Sequence, residues 1–177
     1  MKKIIATLLI ATMLLTGTAL AASYDANGIA FEYDDAVFEI AVDEQDDEEA
    51  IVVLFAVDEN LDNTFVNISF APLPDDETFP TLEEYTQETN DNEEEAVQVK
   101  KLDSWLDFRN VYNYSSDVDD EDGKYHSETF YAPVEANGKV AATLEIYASQ
   151  DAVDDEELGM LLSDAISGIL DSLKVTV

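Results

Sequence analysis

Cysteine is absent from this 177-residue chain, and histidine occurs only once, as His126. Without thiols the sequence can form no disulfide, iron–sulfur cluster or thiolate zinc site, and it has no cysteine nucleophile. One histidine is too few for a histidine-based triad or a multi-histidine metal site. There is also no Gly-x-Ser-x-Gly elbow and no glycine-rich phosphate loop. We therefore expect a protein that is not an enzyme, in which His126 is a structural or surface residue.

Basic residues are the second scarcity, because 8 lysines and arginines stand against 41 aspartates and glutamates, for a formal net charge of −33. Such a field repels phosphate backbones and anionic lipid surfaces, so nucleic acid and direct membrane binding are disfavoured. Cations and a basic protein or another envelope component are the favoured partners. The carboxylates gather in runs between the periodic segments, at 43–49, 75–77, 88–95, 117–122 and 151–157.

Residues 1–21 have the pattern of a signal peptide. Lys2 and Lys3 give a positive start, residues 4–15 form a short apolar core, and Ala19-Leu20-Ala21 is a small-x-small cleavage site. The apolar core is too short for a membrane-spanning helix, and no later stretch has the roughly 20 apolar residues that a span needs. The signal contains no cysteine that could carry a lipid. We expect a secreted or extracytoplasmic protein in which residues 22–177 form one domain.

The end of the chain predicts a strand, residues 139–148, that runs into an amphipathic helix, residues 154–173. Asp154 is the expected N-cap of this helix. Alternating apolar residues on one face of the strand give a floor on which the helix can pack. A shorter helix is predicted at 81–89, with Thr81 as its N-cap. The apolar residues that recur at helical spacing are Leu158, Leu161, Leu162, Ala165, Ile166, Ile169, Leu170 and Leu173.

The other periodic segments predict strands. Residues 29–33 and 38–42 alternate, with Phe38, Ile40 and Val42 on one side, and we expect these two strands to form a hairpin. Residues 51–57 are apolar without alternation, which is typical of a central strand covered on both faces. The remaining strands are 65–70, 97–106, 111–118 and 125–134, and Asp122-Gly123 and Asn137-Gly138 predict hairpin turns within the late meander. The expected class is α+β, a predominantly antiparallel sheet with helices packed on its faces.

Four stretches resemble the PsbP-like family: Gly28-Ile29-Ala30-Phe31-Glu32-Tyr33 followed by Val37-Phe38, the helix at 82–85, the late meander, and the closing Ile169-Leu170-Asp171-Ser172-Leu173-Lys174-Val175. That family includes the extrinsic PsbP subunit of photosystem II, a nuclear-import factor that binds the small GTPase Ran, and many small exported bacterial proteins. The resemblance implies an α/β/α sandwich over residues 22–177. It also implies a binding or assembly role, and it assigns no functional residues.

Calcium is the one cofactor that the residues suggest. The stretch from 117 to 128 imitates a calcium loop in its carboxylate density and in its terminal glutamate, although the glycine stands one place later than the sharp turn requires. A shorter series, Asp58-x-Asn60-x-Asp62, also has ligand spacing. The alternative at both places is diffuse, low-affinity association of cations. The candidate ligands of the longer loop are Asp117, Asp119, Glu121, Asp122 and Glu128.

Several functions remain open at this point. The first is a secreted, non-enzymatic binding or assembly module with a strongly acidic surface. The second is an exported protein whose acidity is an adaptation to salt, or a low-affinity calcium binder. The third is a carboxylate-based glycoside hydrolase with an aromatic platform. The aromatic residues of the late meander either pack in the core or line a groove for a sugar or peptide, and they are Trp105, Phe108, Tyr112, Tyr114, Tyr125, Phe130 and Tyr131.

Overall fold

The structure, a computed structural model, describes residues 22–45, 49–61, 64–74, 76–92, 96–105, 108–120, 123–136 and 138–175. The predicted signal peptide lies outside these residues. Within them, no helix has the length and apolar character that crossing a membrane requires. The strands are β1 Ala22–Ala26, β2 Ile29–Tyr33, β3 Phe38–Gln45, β4 Ala50–Ala56, β5 Phe65–Pro72, β6 Lys100–Trp105, β7 Phe108–Asp120, β8 Gly123–Ala136, β9 Gly138–Ser149 and β10 Lys174–Val175. The helices are α1 Leu82–Asn92, α2 Gln150–Asp154 and α3 Glu156–Ser172, with a 3-10 turn at Glu59–Leu61.

A seven-stranded antiparallel sheet forms the centre of the molecule, in the order β3-β4-β5-β9-β8-β7-β6. A smaller antiparallel sheet has the order β1-β2-β10. The two predicted late hairpins are present, because β7 pairs with β8 as far as Asp120 and Gly123, and β8 pairs with β9 as far as Ala136 and Gly138. Their predicted turn positions are wrong, because Gly123 and Gly138 are paired strand residues in this register and not central turn residues. The predicted α+β class with a predominantly antiparallel sheet is therefore confirmed.

One face of the large sheet, called here the inner face, is closed by α3 and the small sheet. Its side chains alternate along each strand with those of the opposite, outer face. The helix and β2 contribute Ile29, Phe31, Ile166 and Ile169 to the same core. The buried apolar residues of the inner face are Phe38, Ala50, Val52, Leu54, Val66, Ile68, Phe70, Val111, Phe130, Ala132, Val140, Ala142, Leu144 and Ala148. The buried side of the C-terminal helix belongs to the same core as the inner side of the preceding strand β9, and its closest backbone contacts with a strand are with β2.

The last helix begins at Glu156, and its N-cap is one residue later than the predicted Asp154. Asp155 is the N-cap, since its carboxylate accepts hydrogen bonds from the backbone N–H groups of Glu157 and Leu158 at 2.9 and 3.0 Å. Asp154 instead ends the short helix α2, which Ser149 caps. Leu161 was expected to face the core but is 41% exposed, because it lies at the border of the helix's apolar stripe.

The C-terminal residues fasten α3 to the small sheet. Ser172 Oγ accepts a hydrogen bond from the backbone N–H of Glu32 at 2.7 Å. The chain then forms β10, in which Lys174 pairs with Ala30 and Val175 with Ile29. This closing segment therefore attaches the end of α3 to strand β2.

Helix α1 packs on the outer face. Its predicted N-terminus is confirmed by a capping box, in which Thr81 N–H donates to Glu84 Oε2 at 2.8 Å and Glu84 N–H donates to Thr81 Oγ1 at 3.3 Å. Tyr85 contacts the rings of Tyr112 and Tyr131, with centroid distances of 5.2 and 4.7 Å. The large sheet consequently carries helices on both faces, as predicted.

The predicted pairing of residues 29–33 with residues 38–42 is wrong. Strand β2 pairs with β1, and the turn between them is Asn27-Gly28, with φ angles of 54° and 79°. Strand β3 pairs with β4 in the other sheet. Positive φ at both central residues is the requirement of a tight hairpin turn. Asn27-Gly28 is therefore a hairpin signal of the same kind as Asp122-Gly123 and Asn137-Gly138.

A β-bulge between Ile40 and Val42 corrects a second expectation. The extra residue turns Val42 to the outer face, so it does not share a side with Ile40. Asp43 turns to the inner face instead, where Tyr24 Oη donates a hydrogen bond to its carboxylate at 2.6 Å and Asn27 Nδ2 donates another at 2.9 Å. The bulge thus directs the Asp43 carboxylate toward the hairpin of β1 and β2. The two hydrogen bonds attach that hairpin to the large sheet.

Candidate functional site

The sheet register brings Asp117 and Glu128, two of the five proposed calcium ligands, to the inner face. Asp117 pairs with His126 across β7 and β8, and Ser115 pairs with Glu128 two residues further along the strands. His126 Nδ1 and Asp117 Oδ1 are 2.8 Å apart. Because Asp117 and Glu128 are diagonal neighbours, their positions are about 7 Å apart. No local sequence pattern indicates that the histidine pairs with a carboxylate, since the partner comes from the neighbouring strand.

Glu128 is the most perturbed carboxyl group of this cluster. Its carboxylate accepts a hydrogen bond from Asn113 Nδ2 at 3.2 Å, and the same amide group donates to the carbonyl oxygen of Thr129. Burial raises the pKa of Glu128, whereas the Asn113 hydrogen bond and the nearby His126 and Lys100 oppose that rise. Desolvation is the dominant effect, so the folded protein holds the proton of this carboxyl group more tightly than the unfolded chain.

Calcium binding at this loop stays a prediction. Glu121 and Asp122 lie outside the described residues, as does the side chain of Asp119. Within the described part of the chain, no group of three or more histidine, aspartate and glutamate side chains could hold a metal ion.

The shorter ligand series at positions 58 to 62 has a structural role in the described residues. Asp58 Oδ1 accepts hydrogen bonds from both the backbone N–H and the side-chain Nδ2 of Asn60, each at 2.8 Å. These bonds lower the pKa of Asp58 and hold the 3-10 turn. Asp62 lies outside the described residues. Metal binding at this turn therefore also remains a prediction.

The outer face carries a second candidate site, a row of three aromatic side chains. Phe55, Phe65 and Tyr147 stand directly opposite one another on β4, β5 and β9. The ring centroids of Phe55 and Phe65 are 5.4 Å apart, and those of Phe65 and Tyr147 are stacked at 4.4 Å. We call these three residues the aromatic row. It lies at the end of the sheet away from the tyrosines that α1 contacts.

The aromatic row is partly open to solvent. Phe55 is 40% exposed, and the neighbouring Val57 is 45% exposed. The apolar run at residues 51–57 predicted a strand covered on both faces, and the structure corrects this, because helix α1 covers only the other half of the outer face. An exposed apolar surface of this kind is typical of a place where another molecule binds.

Polar groups border the aromatic row on two sides. Glu39 on β3 stands opposite Phe55 and is exposed. Asn67 and Glu145 pair across β5 and β9, next to Phe65 and Tyr147, and Asn67 Nδ2 donates to Glu145 Oε2 at 2.8 Å. The Oδ1 atom of Asn67 is buried and has no hydrogen-bond partner among the described residues. An unsatisfied buried acceptor is rare in folded proteins and calls for an explanation.

The aromatic residues of the late meander divide between core and helix contact. Phe130 is buried on the inner face, and Phe108 packs against the same core. Tyr112 and Tyr131 lie under α1, where burial raises the pKa of Tyr131 to about 12. The side chain of Trp105 is outside what the structure describes.

For the aromatic residues of the late meander, the sequence left open either packing in the core or a groove for a sugar or peptide. The described aromatic residues of the meander pack mainly within the protein, whereas the open platform lies on β4, β5 and β9. Each of these strands contributes one ring to the aromatic row. The spacing of Phe55, Phe65 and Tyr147 along the chain does not predict the aromatic row, because the register between distant strands brings the three rings together.

The fold and the two sites define an α+β protein with an antiparallel central sheet, an acidic surface and an open aromatic row. No protein-family model and no curated protein matches the chain. The fold therefore gives its structural class, α+β. The resemblance to the PsbP-like family rests on the four sequence stretches named above.

Proposed function

We propose that this protein is an exported, PsbP-like binding or assembly module without enzymatic activity, and that it binds a basic polypeptide in the cell envelope. The observation that carries the proposal is the open aromatic row on a chain with a net charge of −33. Apolar contact supplies affinity, and the acidic surface attracts a partner of opposite charge. The residues of the row lie on strands, which hold a binding surface more rigidly than loops would.

The charges around the row favour a cationic partner over a neutral one. Glu39 and Glu145 lie at two sides of the row. A cation placed over an aromatic ring is attracted by the ring face, and carboxylates at the border add to this attraction. The acidic surface as a whole would also increase the rate at which a basic partner arrives.

A second function is compatible with the first: the acidity keeps an exported protein hydrated in high salt. The observation that favours it is the exposure of carboxylates on turns and outer surfaces, such as Asp35, Glu83 and Asp171. It requires stability to keep rising through molar salt, well beyond the range in which screening is already complete. A melting temperature that stays constant above about 0.2 M salt would contradict this second function.

The first function is tested by measuring binding of the full exported protein to a defined basic polypeptide, such as polylysine, and to proteins of an envelope extract. We expect affinity to fall steeply between about 20 mM and 500 mM salt, because screening weakens attraction between opposite charges. We also expect Phe55→Ser to weaken binding, whereas Met160→Ser, which removes another exposed apolar side chain from α3, should not. Binding that is insensitive to both salt and Phe55→Ser would contradict the proposal.

A further inference from the structure

We propose that Glu145, Asn67, Phe65 and Tyr147 form a subsite for one arginine side chain of the partner. This inference rests on the proposed function, because it names the group of the basic polypeptide that the outer face recognises. The four residues come from only two strands, β5 and β9, at neighbouring positions of the same face.

The register gives the subsite its dimensions. Phe65 pairs with Tyr147, and Asn67 pairs with Glu145. Paired residues on neighbouring strands are about 5 Å apart, and residues two positions along a strand are about 7 Å apart. The two stacked rings therefore occupy one end of a small rectangle, and the carboxylate and the amide occupy the other. A flat ligand group that touches both ends would lie along the strands.

The polar end of the subsite is rich in acceptors. Asn67 Nδ2 is directed at Glu145 Oε2, so its Oδ1 is left without a donor among the described residues. Rotating the amide by half a turn would place this oxygen against the carboxylate, which is less favourable. The unsatisfied acceptor therefore follows from the position of Glu145, and a ligand donor entering between the two side chains would satisfy it.

Within the part of the chain that the structure describes, no basic side chain forms an ion pair with Glu145. With 8 basic residues in the whole sequence, the protein has few cations of its own to offer. A cation from a partner can therefore fill this position without displacing an internal one.

A guanidinium group fits both ends of the subsite better than an ammonium group does. It is planar, it stacks on aromatic rings, and its fixed fork of N–H donors can reach a carboxylate and a second acceptor together. The lysine ammonium is compact and strongly hydrated, so it would pair with Glu145 but would gain less from the rings. The subsite consequently predicts a preference for arginine over lysine, which net charge alone would not produce.

The experiment uses the full exported protein and three short peptides that differ at one position, which holds arginine, lysine or citrulline. Citrulline keeps the shape of arginine but is neutral. Affinities come from calorimetric titration, and the side-chain amide signal of Asn67 in nuclear magnetic resonance spectra locates the contact. We expect the arginine peptide to shift the Asn67 signal and to bind about tenfold more tightly than the citrulline peptide. We expect the lysine peptide to bind between these two.

Two protein variants separate the subsite from general charge. Glu145→Gln keeps an acceptor for Asn67 but removes the charge, and it should weaken arginine binding about tenfold. Asp171→Asn makes the same charge change on the exposed side of α3, on the opposite side of the sandwich, and it should alter affinity less than about twofold. Phe65→Leu tests the stacking separately, and it should reduce the preference for arginine over lysine. Thermal melting of each variant verifies that it is folded.

The outcomes distinguish the subsite from the proposed function. Equal losses in Glu145→Gln and Asp171→Asn, or equal binding of the arginine and lysine peptides, would overturn the subsite while leaving a basic partner in place. Absence of salt-sensitive binding to any basic polypeptide would overturn the proposed function as well. Self-association at high salt that Phe55→Ser abolishes would assign the aromatic row to a second copy of this chain, and it would also overturn the subsite.

Discussion

The two faces of the central sheet are built from the same strands but differ in how they are completed. The inner face is mainly apolar and is covered by α3 and the small sheet, and it contains fully buried residues such as Leu54 and Val66. The outer face is mixed: α1 covers its tyrosine end, and the aromatic row at the other end remains partly open. The first face supplies most of the packing on which stability depends, and the second has surface left for binding.

The outer face can hold polar side chains because they find partners there. Ser116 Oγ and Ser127 Oγ are 2.8 Å apart, and Tyr112 Oη donates to the carbonyl oxygen of Pro80 at 3.0 Å. Asn67 is different, since one of its polar atoms is unsatisfied. The comparison teaches that the same strands supply both faces, but the inner face is covered by α3 and the small sheet, whereas part of the outer face is exposed at Phe55 and Val57.

The largest expected difference between the faces is at two adjacent residues of β4. Leu54 is fully buried on the inner face, and Phe55 is 40% exposed on the outer face. We expect Leu54→Ala to lower the free energy of unfolding by about 3 kcal/mol, because it leaves a cavity in a packed core. Phe55→Ala should cost less than about 1 kcal/mol. Urea unfolding of both variants measures this, and similar losses would show that the two faces are equally closed.

A smaller effect concerns the helix that closes the inner face. Asp155→Ala removes the carboxylate that caps α3 and should cost about 1 kcal/mol of stability. Asp154→Ala is the matched control, because it removes an equal charge one residue earlier and leaves both cap hydrogen bonds in place. Thermal melting distinguishes the two variants. A greater loss in Asp154→Ala would return the cap to the position that the sequence pattern suggested.

The pH dependence of Glu128 sharpens the comparison, because this carboxyl group lies on the mainly apolar inner face. Its pKa is raised by burial, so its contribution to stability is full below the unfolded pKa and is lost as the pH rises through the folded pKa. Glu128→Gln keeps an acceptor for Asn113 and should be more stable than the wild type at pH 7. The difference should vanish near pH 3, below the usual pKa of a glutamate, because Glu128 is then protonated in both the folded and the unfolded states. A constant difference at all pH values would contradict burial as the cause.

The smallest expected effect is on the tyrosines under α1. Burial raises the pKa of Tyr131 to about 12, so this phenol should ionise at higher pH than an exposed tyrosine. Its contribution to stability is full below pH 10 and is lost as the pH rises through about 12. Ultraviolet titration of the wild type and of Tyr131→Phe measures this. Loss of a phenol that titrates near pH 10 would mean that α1 does not cover Tyr131.

Much of the fold was predictable because its signals are local. The capping box of Thr81 and Glu84 needs only three residues of separation. Two adjacent residues were enough to indicate each late hairpin, although Gly123 and Gly138 lie in the strands and not at the turns. The error at the first hairpin is also local, since Asn27-Gly28 carries the same signal. The calcium loop was predicted from its carboxylate density and its terminal glutamate, and only Asp117 and Glu128 of its five candidate ligands have described side chains. These two share a face because of cross-strand pairing.

What the sequence determined by itself is therefore the period of each element, the main turns, the acidity and the apolar face of the last helix. The tertiary structure alone decided that β2 pairs in the small sheet and not in the large one, and that a bulge turns Asp43 to the inner face. It also decided that the rings of Phe55, Phe65 and Tyr147 form one row. The physical reason is distance along the chain: Asn67 and Glu145 are 78 residues apart, yet they are hydrogen-bonded neighbours. Periodicity tells which face of a strand a residue occupies, whereas register between distant strands depends on the packing of the whole core.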